Sequence, residues 1–248
     1  IDELAALGPD FVSVTFGAGG STREGSYNLA AKLKNEKKLE VLPYFAGWGL
    51  GPDDITAVID RYGALGVDNL LAVRGDSPQE DGDFKPHPKS FNHAADLLAF
   101  LRPRYKLCIG AAGYPEGHVQ AESKQKDVEY LKKKVENGAE FVIANYCYDN
   151  RHFFDFVRMA RKTGVDVPIL PGIMPIFNVK IMENLASICG ATITEEIRKG
   201  IGAIAEDDKD ALVDFGIRFA VKQCIELLER GVPGLHIYTI DRAKSATG

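Results

Sequence analysis

Asn137-Gly138-Ala139-Glu140-Phe141-Val142-Ile143-Ala144-Asn145-Tyr146 joins the end of a helical stretch to a short apolar run. The glycine stands where a left-handed C-terminal cap would end a helix. The run after it, Phe141–Tyr146, is apolar on both faces, as a strand buried in a parallel sheet is. The same joint recurs at Leu65-Gly66-Val67-Asp68, Thr163-Gly164-Val165-Asp166 and Arg230-Gly231-Val232-Pro233.

Further runs of this kind lie at Phe11–Thr15, Val41–Ala46, Leu70–Arg74, Leu107–Ala112, Ile169–Ile173 and Leu235–Ile240. Helical periodicity fills the gaps, for example at Ile55–Leu65, Ala94–Leu101, Val128–Glu136 and Phe153–Lys162. Strands that alternate with helices pair in parallel through right-handed crossovers. The repeated joint predicts an α/β fold of the (β/α)8 TIM-barrel class. A doubly wound sheet would place a GxGxxG turn after its first strand, and this sequence has none there. Seven runs are visible, and a barrel needs eight. Asp2–Leu7 reads as a helix ahead of the first run, so the first strand is expected upstream of Ile1. Arg242–Gly248 reads as the start of a final helix. The expectation is one barrel domain over residues 1–248, truncated at both ends. The long segment between Ile173 and Leu235 is expected to hold two helices and a loop.

The chain has 248 residues, 45% of them hydrophobic and 26% charged, enough apolar material for a sizeable core and against general disorder. No apolar run approaches the roughly 20 residues of a membrane span. Ile1-Asp2-Glu3 is acidic where a signal peptide would be cationic. A net charge of -5 argues against binding nucleic acid through bulk charge. A cytoplasmic protein with no membrane partner is expected. Cys108, Cys147, Cys189 and Cys224 are far apart and read as reduced core or near-core thiols. The five histidines form no HExxH pair, and no metal site is assigned.

Functional side chains of such barrels gather just after the C-terminal ends of strands. Here those ends are rich in glycine, aromatics and single charges, with no nucleophile triad or paired carboxylates. That pattern suits an organic cofactor that carries the chemistry. Arg74-Gly75-Asp76 closes an apolar strand, which favours a site role for Asp76 over adhesion by a surface loop. Gly113-Tyr114-Pro115-Glu116-Gly117-His118 concentrates Tyr, Glu and His beside a turn that Gly and Pro alone would explain. Asp127 and Lys134 are seven apart, on one face of the next helix, and taken alone read as a solvated face.

In order, these strand ends resemble the methylenetetrahydrofolate reductase family. The resemblance runs through Phe11–Ala18, Leu71–Pro78, Ala112–His118, Asp127 to Lys134 with Asn137-Gly138-Ala139, Pro168–Pro175 and His236–Thr239. It implies a barrel holding FAD non-covalently and reducing 5,10-methylenetetrahydrofolate to 5-methyltetrahydrofolate. It implies that a reduced nicotinamide, NADH or NADPH, gives a hydride to the flavin and leaves, and that folate then takes the hydride on the same face. Carried over by position, Thr15, Tyr44, Arg74, Gly75, Asp76, His93, Ala94, Tyr114, His118, Asp127 and Lys134 match flavin-contacting places. Arg74 and Lys134 would serve the diphosphate, and Asp127 a ribose hydroxyl. Asp76 matches the catalytic acid near flavin and pterin, and Asn145, Arg242 and Val179 match substrate-side places.

The family's proton-donating glutamate belongs to a first-strand motif that this sequence does not include. Asn145 stands where glutamine is usual, Tyr44 where histidine is common, His93 where tyrosine is common, and Val179 where a phenylalanine can sandwich the substrate. An alternative reading is a divergent flavin barrel that takes electrons from a partner protein. A homo-oligomer is expected.

Overall fold

In the computed structural model, residues 1–16, 20–75, 85–240 and 243 are described, with residues 20–23 as backbone alone. The chain opens on a short helix, α1 (Asp2–Ala6). Strands and helices then alternate: β1 (Val12–Val14), α2 (Gly20–Asn35), β2 (Val41–Ala46), α3 (Pro52–Ala64), β3 (Asn69–Val73), α4 (Ala94–Leu101), β4 (Cys108–Gly113), α5 (Lys124–Glu136), β5 (Phe141–Tyr146), α6 (Asn150–Thr163) and β6 (Ile169–Ile173). Three helices follow, α7 (Val179–Cys189), α8 (Glu195–Gly202) and α9 (Lys209–Glu229), before β7 (His236–Ile237). The strand order is β1-β2-β3-β4-β5-β6-β7. Sequential parallel order with alternating helices is the topology of the (β/α)8 barrel class; a doubly wound sheet reverses direction at a switch point.

The described chain divides into two compact units. The N-terminal unit comprises Gly8–Ala112 and Lys133–Phe141. Its strands pair in parallel, with Val12 opposite Val41, Tyr44 opposite Leu71 and Asn69 opposite Cys108. Val14, Leu33, Val41, Tyr62 and Val67 form one of its buried clusters. Helix α3 starts where the Asp54 carboxylate accepts the Gly51 N–H at 3.0 Å, with Pro52 in its first turn. Both are N-terminal signals.

The C-terminal unit comprises Ile1–Leu7, Gly113–Lys132 and Val142–Gly248. Val142 pairs with Ile169, and Gly172 with His236, again in parallel. Asp149, Asn178, Thr194 and Asp208 cap α6 to α9 with side-chain acceptors. Each satisfies a helix N–H that would otherwise lack a partner. A buried polar link ties α6 to α9: Asn150 Nδ2 donates to the Gln223 carbonyl at 3.1 Å, and Gln223 Nε2 donates to the Cys147 carbonyl at 3.1 Å.

The four glycine joints behave as the sequence implies: Gly66, Gly138, Gly164 and Gly231 all have positive φ, between 72° and 110°. Three expectations are corrected, and a fourth is untested. The long segment after β6 holds three helices, because Gly190 ends α7 in the left-handed region and Thr194 restarts the chain as α8. The first and last strands are shorter than Phe11–Thr15 and Leu235–Ile240, since pairing there is confined to Val12–Val14 and His236–Ile237. Cys108 is exposed at the start of β4, whereas Cys147 is buried. The expected terminal helix at Arg242–Gly248 lies outside the described residues, Ala243 apart. Among the described residues no helix is long and apolar enough to cross a membrane.

Two glycines in helices should respond oppositely to alanine. A Cβ on Gly216 of α9 would lie 1.8 Å from the Ile176 carbonyl oxygen, a backbone atom that cannot step aside. Gly216→Ala should therefore destabilise by about 2 kcal/mol or more despite its better helix propensity. Gly25 of α2 has nothing within 4 Å, so Gly25→Ala should stabilise by about 0.5–1 kcal/mol. Urea midpoints of the two variants test the contrast, and equal shifts would contradict it.

His236 gives a pH prediction. Burial holds its imidazole down to about 4, from an ordinary 6.5. Below pH 6.5 the unfolded chain binds a proton that the folded chain refuses, so stability is lost as pH falls through this window. The contribution lost between pH 7 and pH 5 should be about 2 kcal/mol. Urea unfolding at both pH values should show a smaller difference in His236→Gln than in the native chain.

Candidate active site

Parallel pairing puts the C-terminal ends of neighbouring strands at one edge of the sheet. In the N-terminal unit that edge carries Thr15 after β1, Tyr44 within β2, and Arg74 and Gly75 after β3. Thr15 is exposed, Tyr44 is half-buried, and Phe16 packs on Phe45 with ring centroids 5.0 Å apart. Trp48 N donates to the Arg74 carbonyl at 2.8 Å, so the segment after β2 continues along the one after β3. Gly75, at φ 84°, lies so close to that segment that a Cβ would stand 2.6 Å from Ala46 Cβ. Only glycine meets both demands there.

The Arg74 guanidinium Nε donates to the Gly75 carbonyl at 3.2 Å. Lys134, from the last turns of α5, reaches the end of β4, where Nζ donates to the Ala112 carbonyl at 2.9 Å. Two cations therefore stand at the ends of adjacent strands. Residues 85–93 lie along the β2–α3 turn, with His87 N donating to the Gly49 carbonyl at 3.1 Å and Gly49 N donating to Ser90 Oγ at 2.6 Å. This segment ends at His93, exposed at the N-cap of α4, with Ala94 buried beside it.

In the C-terminal unit, the loop after β4 carries Tyr114 and His118. Their rings meet edge to face at 4.6 Å. The His118 N–H donates to Asp127 Oδ2 at 3.2 Å. Asp127 is buried, not part of a solvated face, because its carboxylate anchors this loop. Between the two aromatics, Glu116 accepts the Thr192 N–H at 2.9 Å and the Thr192 hydroxyl at 2.5 Å. His152 Nε2 stands 3.5 Å from the same carboxylate.

Asn145 is half-buried near the end of β5, and Val179 is the first residue of α7, packed against an apolar cluster around Tyr146, Tyr148, Met174 and Phe219. Burial raises the Tyr146 and Tyr148 phenols well above their ordinary range, so both remain protonated. Gly172 of β6 leaves room for the Tyr238 ring, which a Cβ would approach to 2.7 Å. Among the described residues no group of three or more His, Cys, Asp or Glu side chains is placed to hold a metal.

Asp76 and Arg242 lie outside the described residues. Thr192, His152, Asn150 and Gln223 were not singled out from sequence. Their partners are up to 76 residues away, and no local spacing signals such contacts.

The methylenetetrahydrofolate reductase family model matches residues 1–248. A relative from Arabidopsis thaliana, methylenetetrahydrofolate reductase (NADH) 1, is 35% identical over 259 residues, covering 100% of this chain and 44% of that protein. The chain thus spans less than half the length of this plant relative. A 5,10-methylenetetrahydrofolate reductase from Pectobacterium carotovorum subsp. carotovorum is 30% identical over 244 residues, covering 98% of this chain and 80% of that one. Among solved structures, a Clostridium thermocellum protein described as binding two copies of 5-methyl-5,6,7,8-tetrahydrofolic acid aligns with a TM-score of 0.56 at 14% identity, over 99% of this chain and 96% of its own. At that identity the likeness is one of fold. Matched by the family model from its first residue to its last, and aligned with most of a bacterial relative, the chain belongs to the methylenetetrahydrofolate reductase family.

Proposed function

We propose that this chain carries an FAD-dependent site that reduces 5,10-methylenetetrahydrofolate to 5-methyltetrahydrofolate, with NADH as the hydride source. The family match over residues 1–248 carries this reading. The names of the plant relatives, which specify NADH, support the choice of donor.

The residues present fit a flavin dinucleotide. A diphosphate needs cations and close-lying backbone, and Arg74, Lys134 and Gly75 supply both at the ends of β3 and β4. Tyr114 and His118 offer aromatic edges in a loop whose backbone is tied to Asp127. FAD, when bound, supplies two-electron hydride chemistry that no side chain can. Reduction adds a hydride to the methylene carbon and a proton to N10, breaking the bond between them. By the family resemblance Asp76 would stand near the flavin and the pterin, where a carboxylate would oppose further negative charge on the reduced ring and so ease hydride release. Asn145 offers an amide that can both donate to and accept from the pterin edge. Val179 gives the substrate a smaller apolar wall than an aromatic residue would.

Purified protein should quench flavin fluorescence on titration with FAD, acquire visible flavin absorption, and form 5-methyltetrahydrofolate faster with NADH than with NADPH. Failure to take up FAD would overturn the reading. Asp76→Asn should slow methylene reduction by about 10²-fold while shifting FAD affinity far less. Unchanged turnover would remove the role given to Asp76.

A further inference from the structure

Glu116 sits in the middle of the β4 loop, and the turn itself does not require it. Gly117, at φ 89°, with its N–H donating to the Tyr114 carbonyl at 3.0 Å, makes the turn together with Pro115. The Glu116 side chain is only 9% exposed. A carboxylate so shielded is costly unless its oxygens are satisfied. They are satisfied by a segment distant in the chain, Thr192 in the connector between α7 and α8, through both its N–H and its hydroxyl, while His152 Nε2, in the first turn of α6, stands 3.5 Å from the same carboxylate.

A second observation points to the same clasp. Gly190, in the same connector, lies so near the β4 loop that a Cβ there would come within 3.0 Å of Val119 Cγ1. The connector therefore presses on the loop at two places, once through Glu116 and once through Val119. The Glu116 charge also reaches the end of β5: the Cys147 thiol is pushed up to about 12, by burial first and by Glu116 next. The loop is thus held at His118 by Asp127 and at Glu116 by the connector, with the Tyr114–His118 ring pair around it.

We propose that Glu116 is a positioning residue: its carboxylate clasps the α7–α8 connector and the start of α6 to the β4 loop, and thereby holds Tyr114 and His118 in the geometry that receives the flavin. This rests on the flavin function proposed above. The same clasp ties that loop to the two helices that follow Asn145 and begin at Val179. A residue that only stabilised the turn would need neither contact.

The test compares Glu116→Ala with Glu116→Gln. Glutamine keeps an acceptor for the Thr192 N–H and turns an N–H toward the Thr192 hydroxyl; alanine removes both contacts. FAD titration of flavin-free protein should give an affinity about 10-fold weaker in Glu116→Ala, and within about threefold of native in Glu116→Gln. Hydrogen exchange at the Thr192 amide should speed up in the alanine variant and return to near native in the glutamine variant. Native affinity in Glu116→Ala, or equal weakening in both variants, would overturn the proposal. Should Glu116→Ala fail to fold, Thr192→Val removes only the hydroxyl contact, and it should weaken FAD binding by about threefold at a near-native melting temperature; unchanged affinity there would also overturn it. If the native chain binds no FAD, the function reading falls. The exchange arm then decides the clasp by itself, because an unaltered Thr192 amide in Glu116→Ala would show that Glu116 does not order the connector.

Discussion

Parallel pairing between consecutive strands is the constraint on which the other features depend. Each strand must return to the same end of the sheet before the next can start, so a helix has to cross over and stop abruptly. The stop is made by a left-handed residue, which is why glycine recurs at Gly66, Gly138, Gly164 and Gly231. The strands are covered on both faces and so are apolar throughout: Leu70, Leu71 and Ala72 of β3, and Val142, Ile143 and Ala144 of β5, are each almost fully buried. Polar side chains have little place along such strands. They collect where pairing ends, and within each unit those ends share an edge.

That division explains how much was legible. β2, β5, β6 and α4 follow from local pattern to the residue, because a fully apolar run or a clean helical period leaves one solution. β7 was read too long because Leu235-His236-Ile237-Tyr238 has strand composition, while its pairing with β6 stops at Ile237. The third helix after β6 was missed because its boundaries rest on single capping atoms, the Thr194 hydroxyl and the Asp208 carboxylate, and not on a change in periodicity.

The site was legible in a different way. Residues such as Arg74, Tyr114 and His118 stand out by chemistry at strand ends, whereas Lys134, on a helix, stands out only through the family resemblance. What holds them does not. Asp127 looks like one member of a charged helix face, and it becomes a buried anchor only because the His118 N–H needs an acceptor. Asn150 and Gln223 look like ordinary surface amides, yet together they fix the Cys147 carbonyl just past the end of β5. The Gln223 contacts join positions more than 70 residues apart, so no window of local sequence can contain them.

A common economy links these contacts. Loops pay ordering entropy that strands have already paid, and a loop that must present side chains in one geometry needs fixed points at both ends. The β4 loop is fixed through two carboxylates: Asp127 accepts the N–H of His118 in the loop, and Glu116 in the loop accepts the N–H of Thr192 in the α7–α8 connector. Charge-assisted bonds of this kind are stronger than neutral ones, and at Glu116 the cost of burial is offset because both carboxylate oxygens accept from Thr192. The loop thus acquires the rigidity of the sheet without its pattern. This is why Tyr114, Glu116 and His118 can be singled out from the sequence while the partner that Glu116 holds, Thr192, is visible only in the fold.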